Sequence, residues 1–596
     1  LKGSQNNTDG IGCKLIVYSN GKHQFVEQSP VRGFSSSVDM RMHVGIGTAT
    51  LIDSIKIQWP DNKIQLLRNV KSNQFLTLDY KDAVEVKVNN NQLSTSTLFQ
   101  EATDQWSLDY KHTEVQHFDF GAHQPLLQRY SQLGPCIATG DMNADGRIDF
   151  FVGGAANQSG KLFFQQQDGS FVSSNLVEGM KPEEDLGAVL FDADGDSDLD
   201  LLVTGGSFEF TVAKYNQPRL YLNDGKGKFA YNANALPLIP VITKAITVAD
   251  YDGDGDMDVF IGGRLLPQQY PQSPRSYLLQ NNKGTFTDVT KVVSPDLEFA
   301  GMIEAAQFTD FNNDKKPDLI VCGEFTNIRF FKNENNKLVE VTNETGLINM
   351  YGFWRSLQQA DVDKDGDMDY LVGNMGHNNK YRLSKEKPMQ LYAKDMDKNG
   401  SVDLIPAYYI RNANGKEELY PALDRNQLAD QVPAVKKKYL LHRDYAAVTM
   451  QQLLSDFGKD DWTVLTCETF STVWIENRGN GKFEMHVFPF QAQVAPVNSI
   501  VAEDFNDDGH VDLIMAGNEY QMAANTGRHD ASYGLFLKGN GKGEFMPISA
   551  TVSGFLIDGD IKDMKIVPIN ERKKLLLVAP NDSELKTFTI TTSFKK

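Results

Sequence analysis

One pattern constrains this chain more than any other: a nine-residue acidic turn running straight into an apolar segment occurs seven times. The copies are DMNADGRIDFFVGG from Asp141, DADGDSDLDLLVTGG from Asp192, DYDGDGDMDVFIGG from Asp250, DFNNDKKPDLIVCG from Asp310, DVDKDGDMDYLVGN from Asp361, DMDKNGSVDLIPAY from Asp395 and DFNDDGHVDLIMAG from Asp504. A period of tens of residues means one supersecondary unit stacked on copies of itself. A second signal runs out of phase with the first: turns rich in Gly or Asn ending at Phe171, Phe229, Phe286, Leu338, Phe483 and Phe545. These read as hairpins between two outer strands. Each repeat thus predicts a strand, the acidic turn, a second strand and a hairpin, the four-stranded blade of a β-propeller.

The first aspartates are spaced by 51, 58, 60, 51, 34 and 109 residues. No hairpin signal separates the fifth and sixth turns, so the sixth is expected inside the fifth blade as an insertion. The long gap after it then holds the rest of that blade and a helical excursion at about 424–457. Asp424-x-x-Gln427 and Thr449-x-x-Gln452 read as capping boxes; the second helix buries Leu453, Leu454 and Phe457 and stops at Gly458, and Pro433 ends the first. After Phe545 a degenerate repeat keeps strand alternation but has lost its acidic ligands. Counting it gives seven blades, starting near residues 134, 186, 244, 304, 356, 498 and 558. The stretch at 99–120 is expected to help close the ring. Residues 1–85 lack the acidic turn and alternate apolar with polar, which predicts a small separate β domain; 86–97 reads as a linker and 98–596 as the propeller.

Side chains at turn positions 1, 3, 5 and 9 are Asp or Asn throughout. They are Asp141, Asn143, Asp145 and Asp149; Asp192, Asp194, Asp196 and Asp200; Asp250, Asp252, Asp254 and Asp258; Asp310, Asn312, Asp314 and Asp318; Asp361, Asp363, Asp365 and Asp369; Asp395, Asp397, Asn399 and Asp403; and Asp504, Asn506, Asp508 and Asp512. Hard oxygens at alternate positions of a tight turn can converge on one calcium ion, with a backbone carbonyl at position 7 and water completing the shell. Glycine at position 6, which permits the bend, is present in five turns; Ser197 and Lys315 replace it in the others. An EF-hand needs a bidentate Glu at position 12 and flanking helices, whereas position 12 of the first turn is Val152 in an apolar run. Up to seven calcium ions are therefore expected, as structural staples that contribute to folding.

The formal net charge is −19, from 59 basic and 78 acidic residues. That excludes a nucleic-acid partner, which needs a basic stripe, and disfavours an anionic membrane surface. Seven dications would offset 14 of those charges. No 18-residue apolar run offers a transmembrane segment. The chain begins at Leu1 without a signal peptide and is expected to be a piece of a longer product. Cys13, Cys136, Cys322 and Cys467 form no CxxC pair; they read as buried thiols, with one long-range disulfide left open.

The acidic turns resemble FG-GAP/VCBS repeats such as those of integrin α-chain propellers, over about 98–596. Residues 1–82 are similar to the ASPIC/UnbV domain, through GIGCKLIVYSNGK (10–22), RGFSSSVDMRMHVGIG (32–47), IDSIKIQWPDNKIQ (52–65) and NVKSNQFLTL (69–78). The pairing resembles cartilage acidic proteins and Bacteroidota-type surface proteins. The resemblance implies a further propeller upstream, export, and, if bacterial, an outer-membrane lipoprotein accompanying a nutrient-uptake transporter.

The expected function is a non-catalytic binding or assembly module at the cell surface, with a protein partner and a glycan or peptide ligand as the other possibility. Contact surfaces are expected at the helical excursion and in the loops after Gly206 and Arg264. LLPQQYPQSPRSY (265–277) reads equally as a recognition loop or as packing over the ring. The rival is a calcium-dependent polysaccharide lyase or sugar dehydratase, which needs a base near a cation. His377 and Lys380, with Tyr381 and Arg382, come nearest to that and also read as ordinary loop residues. His112 and His117 lie five apart with no ligand company in the sequence.

Overall fold

The computed structural model describes residues 1–591 apart from 32, 86–96, 107, 123, 124, 180, 207, 210, 211 and 268. The chain forms two compact units, Leu1–Thr95 and Ser96–Lys596. The expected linker lies, up to residue 96, outside the described residues.

The first unit is an antiparallel sheet with strands in the order Lys22–Glu27, Lys14–Ser19, Leu51–Gln58 and Ile64–Lys71. Strand alternation sorts its faces. Leu15 pairs with Ile57 and Val17 with Ile55, and these four are buried with Cys13, Trp59 and Leu78.

In the second unit, among the described residues, seven antiparallel sheets share a four-stranded plan, the fourth with Gly352–Phe353 added to its second strand. Their first strands are Ile137–Gly140, Glu184–Phe191, Ile242–Ala249, Met302–Thr309, Ser356–Ala360, Val497–Glu503 and Ile561–Asn570. Each first strand touches the next, and the last touches the first, so the sheets form a closed ring. Closure removes the exposed edges that would otherwise template aggregation. The seventh sheet is completed from the other end of the unit: Phe99–Glu101 pairs with Lys586–Thr591, Ile590 opposite Phe99. Among the described residues of the 99–120 stretch only these three form a strand. One edge is all the seventh sheet has to offer, and the chain then makes helical turns at Thr103–Trp106 and Asp119–Ala122.

The second strands read as unbroken apolar runs because each is covered on both faces. Val259 and Ile261 pack with Phe191, Leu202 and Leu220 of the sheet before. Phe260 between them packs with Phe308, Leu319 and Val321 of the sheet after. Comparable clusters fill the other gaps around the ring.

The sixth acidic turn lies outside the ring. Between the second and third strands of the fifth sheet, Asp369–Gly373 and Val473–Asn477, the chain builds an extra sheet in the order Glu417–Pro421, Asp403–Arg411, Met389–Lys394, Thr463–Cys467. Four short helices pack on it: Arg425–Gln431, Ala434–Lys438, His442–Ala446 and Met450–Phe457. Asp424 and Gln427 form the capping box; Thr449 caps the last helix and Gly458, at φ 101°, ends it. Leu453 is buried, Leu454 and Phe457 half-buried. The insertion is thus larger than its helices: it carries a core of its own, in which Ile405, Leu428 and Val435 are fully covered.

A polar slot not legible in the acidic pattern ties neighbouring sheets together. In four sheets the third strand ends on, or just before, an Asn whose amide donates to the position-2 carbonyl of the preceding sheet's turn. Asn223 donates to Met142, Asn281 to Ala193, Asn333 to Tyr251 and Asn477 to Phe311, at 2.7–3.0 Å. Gln165 plays the part across the ring closure, donating to the Pro568 carbonyl at 3.1 Å. Truncating such a donor strands a buried carbonyl. Asn281→Ala is expected to destabilise the ring by about 1–3 kcal/mol, read from the shift in urea unfolding midpoint. Asn540→Ala, in an exposed hairpin, should stay within about 0.5 kcal/mol of the parent.

Candidate metal turns and the opposite face

All seven acidic turns have one backbone geometry. Position 6 is in the left-handed region in every copy: Gly146, Gly255, Gly366, Gly400 and Gly509, and also Ser197 at φ 76° and Lys315 at φ 65°. So is position 4, occupied by Ala144, Gly195, Gly253, Asn313, Lys364, Lys398 and Asp507. The second constraint went unseen in the sequence because no residue type marks it. Space does not exclude a side chain at position 6: a Cβ on Gly146, Gly255, Gly366 or Gly400 would meet nothing within 4 Å. Only the backbone conformation selects glycine. Lys315→Gly is therefore expected to stabilise the protein by about 0.5–1 kcal/mol, measured by denaturant unfolding.

Within each turn the carboxylates first organise the backbone. The position-1 Asp accepts the N–H of position 6, as in Gly146 to Asp141 at 2.7 Å and Lys315 to Asp310 at 2.7 Å. Position 5 accepts the N–H of position 7, as in Asp256 to Asp254 at 2.9 Å. The position-9 Asp is the first residue of the second strand and is buried in all seven copies. In five ring turns one of its oxygens takes the position-2 N–H and the other the N–H at the end of the third strand. Asp258, for example, accepts from Tyr251 at 3.2 Å and from Asn281 at 2.8 Å.

The turns are short of positive charge. Burial, reinforced by neighbouring aspartates, pushes Asp149, Asp200 and Asp403 up to about 6. It pushes Asp258, Asp318, Asp369 and Asp512 up to about 7. In the second, third and fifth turns, three carboxylates present oxygens within 4.8 Å of one another: Asp192, Asp194 and Asp200; Asp250, Asp252 and Asp254; Asp361, Asp363 and Asp365. Asp194 Oδ1 is buried without a hydrogen-bond partner. An all-oxygen donor set with an orphaned carboxylate oxygen fits a hard cation such as calcium. The copies differ in detail. Lys538 reaches Asp508 at 3.0 Å in the seventh turn, Arg147 pairs with Asp145 in the first, and Asn312 and Asn506 turn their amides onto Asp318 and Asp512.

At the other end of the sheets lie the connections between second and third strands, and residues 125–135 run across the ring there. Leu126, Leu127, Tyr130 and Leu133 are buried against Leu186, Ile242, Met302 and Phe353 of three different sheets. A buried charge network anchors this plug. Arg264 pairs with Glu304 at 2.8 Å and Glu324 at 2.5 Å, and the Tyr130 and Tyr270 hydroxyls donate to Glu324 at 2.6 and 2.5 Å. Burial opposes ionisation of Glu304, yet Arg264 and Lys244 outweigh it and hold the carboxyl down at about 2. Arg264→Met would leave two buried carboxylates short of their shared partner. Its expected loss of stability is about 3–5 kcal/mol, measured by equilibrium unfolding.

Beside this network a cleft of about 430 Å³ opens between the 265–277 loop (Gln269, Pro271, Gln272, Ser273) and the extra sheet (Lys394, Asp395, Asp461, Thr463), with Glu324 and Phe325 in its wall. Tyr270 of that loop is 1% exposed and packs inward, while its neighbours Gln269, Pro271 and Gln272 line the cleft. The residues considered for catalysis are held differently. Tyr381 is buried edge-on against Tyr408, and Arg382 donates to the His377 and Asn379 carbonyls. His377 Nε2 lies 2.9 Å from Ser471 Oγ, and Lys380 lies over the Tyr381 ring. Burial, then the Arg382 charge, lowers His377; burial lowers Lys380.

All four cysteines are buried and free. His112 corrects the sequence reading: it has ligand company. It is fully buried, with Glu114 two residues on and Glu184 from the second sheet presenting ligand atoms within 4.8 Å. Glu184 is 70 residues beyond Glu114, so no local spacing announces the trio. Burial pushes Glu114 up to about 8 and raises Glu184, and it lowers His112 to about 3, keeping the imidazole neutral.

Among solved structures, the V. cholerae biofilm matrix protein Bap1 is 11% identical, covering 84% of this chain and 91% of its own, with a TM-score of 0.31. BBS1N in complex with ARL6DN is 11% identical over 81% and 99% at 0.36, and the Dos1 propeller 10% over 83% and 98% at 0.33. No curated protein matches the sequence closely enough to count as a relative. The family model for ASPIC and UnbV matches residues 3–85, and that for the FG-GAP-like repeat matches 141–203, 206–261 and 310–372. Two of those repeat matches begin at the first aspartate of an acidic turn, and the chain is an FG-GAP repeat protein with an UnbV domain.

Proposed function

We propose that this chain is a non-catalytic, calcium-stabilised binding module of the cell surface, built on a seven-bladed β-propeller, that serves as an accessory in an assembly such as an outer-membrane nutrient-uptake complex. The observation that carries the reading is the recurrence of one oxygen-lined turn geometry, with clustered carboxylates and an orphaned Asp194 oxygen. Exposed, carboxylate-rich calcium sites with dissociation constants of about 10⁻⁴–10⁻³ M are those of extracellular modules, which supports a surface location. The six staples of the ring stand at one end of the sheets, and the sixth turn, with Asp395 in the cleft wall, belongs to the insertion. The variable elements (the plug, the 265–277 loop and the insertion) stand at the other end, which is where binding surfaces are expected on a rigid scaffold. The partner is proposed to be a protein, with a glycan or peptide held in the cleft as the finer possibility. The fixed roles of Tyr381 and Arg382 in their loop favour this over the lyase reading.

The test is calcium content, with thermal unfolding before and after EGTA. Six or seven calcium ions per chain and a fall in melting temperature of ten degrees or more on chelation are expected; at 1 mM calcium and a site of about 0.1 mM, saturation alone contributes about 1.4 kcal/mol per site. Little metal and an unchanged melting curve would sink the calcium reading. The binding face is tested by pull-down from a surface fraction. Gln269→Lys and Gln272→Lys should abolish capture, and Glu571→Lys and Arg572→Glu, in the hairpin between the first two strands of the seventh sheet, should spare it.

A further inference from the structure

We propose that His112, Glu114 and Glu184 form a buried site for one divalent transition-metal ion of the zinc class, distinct in chemistry from the acidic turns. The trio lies where the ring is joined. His112 and Glu114 belong to the segment that follows the closing strand Phe99–Glu101, and Glu184 opens the first strand of the second sheet. The seventh sheet supplies the surrounding polar groups: the Asn581 amide donates to Glu114 Oε1 at 2.5 Å and to the Gly134 carbonyl at 2.7 Å, and the Asp582 N–H reaches His112 Nδ1 at 3.3 Å.

Three independent features point to a ligand. His112 Nε2 and Glu114 Oε2 are buried with no hydrogen-bond partner, on side chains that are 0% exposed. No Lys or Arg pairs with Glu114 or Glu184 among the described residues; the neighbouring Lys181 is spent on Asp185 at 2.9 Å and Lys562 on Asp560 at 2.9 Å. Two buried carboxylates without a cation are strongly disfavoured, and a bound dication removes the penalty. Finally, the space is reserved. Glu184 Oε1 accepts the Gly134 N–H at 2.7 Å, and a Cβ at Gly134 would stand 2.9 Å from that oxygen and 3.5 Å from His112 Nε2, so only glycine leaves both atoms room.

One imidazole nitrogen and two carboxylates are the donor set of zinc-class ions, whereas calcium takes oxygen alone. Binding through Nε2 needs the ring proton on Nδ1, which lies 3.7 Å from Glu114 Oε1. The long contact from the Asp582 N–H is then given up. Such an ion would staple the incoming segment to the second sheet beside the ring closure.

This inference does not depend on the calcium reading, and its test separates the two. The whole chain is stripped with EGTA, then titrated with zinc in millimolar calcium, which holds the acidic turns. One equivalent of zinc is expected, with an anomalous difference peak in crystals at bonding distance from His112 Nε2. Glu184→Gln and His112→Gln should each weaken that equivalent at least ten-fold, and calcium content should not change. Glu476→Gln, in the separate set Glu476, Glu484 and His486 on the fifth sheet, should leave zinc affinity unchanged. Absence of a peak at His112, wild-type affinity in both variants, or loss of the zinc in Glu476→Gln instead would overturn the proposal. The crystallographic peak is read on the parent protein, so the result stands even if a variant fails to fold.

Discussion

The ring depends on a carboxylate buried at the start of each second strand. Asp258 shows why. One oxygen fixes the acidic turn through the Tyr251 N–H, and the other fixes the third strand through the Asn281 N–H. The Asn281 side chain then reaches back to Ala193 in the preceding sheet. Turn, sheet and sheet-to-sheet contact thus share one hydrogen-bonded node. Networks of this kind specify a unique arrangement only when every member is satisfied. Here the remaining deficit is charge: burial raises the position-9 aspartates, and the calcium proposed for the turns would supply it.

The two ends of the sheets divide the work. At the acidic end geometry repeats, because the same backbone problem, a tight turn into a doubly buried strand, is solved the same way each time. At the other end nothing repeats. There residues 125–135 cross the ring, Glu324 gathers Arg264, Tyr130 and Tyr270, and the insertion adds a sheet with its own core. A plug seated on buried ion pairs is expensive to disturb and firmly placed, which suits a face whose loops present a surface to a partner.

Much of the architecture was legible because its causes are local. The acidic turn, the apolar run and the hairpin are each decided within ten residues, and first strands begin within three residues of the positions expected. The Asn slot was written in the sequence too, as the residue before the hairpin in YLNDGKGKF and IENRGNGKF. It passed unnoticed because hairpin chemistry alone accounts for an Asn there. The left-handed residue at position 4 carried no signal, since Ala, Gly, Asn, Lys and Asp all occupy it.

By itself the sequence determined the all-β class, the repeat, the oxygen-rich turns and the separate first domain, since period and residue chemistry act over short distances. Only the tertiary structure decided that Phe99–Glu101 completes the seventh sheet, that the sixth turn lies on a sheet outside the ring, and that Tyr270 turns inward. It alone brought Glu184 to His112. Each of these is a meeting of segments far apart in the chain. Such meetings follow from how a ring closes and what its opening must bury, and no local spacing encodes them.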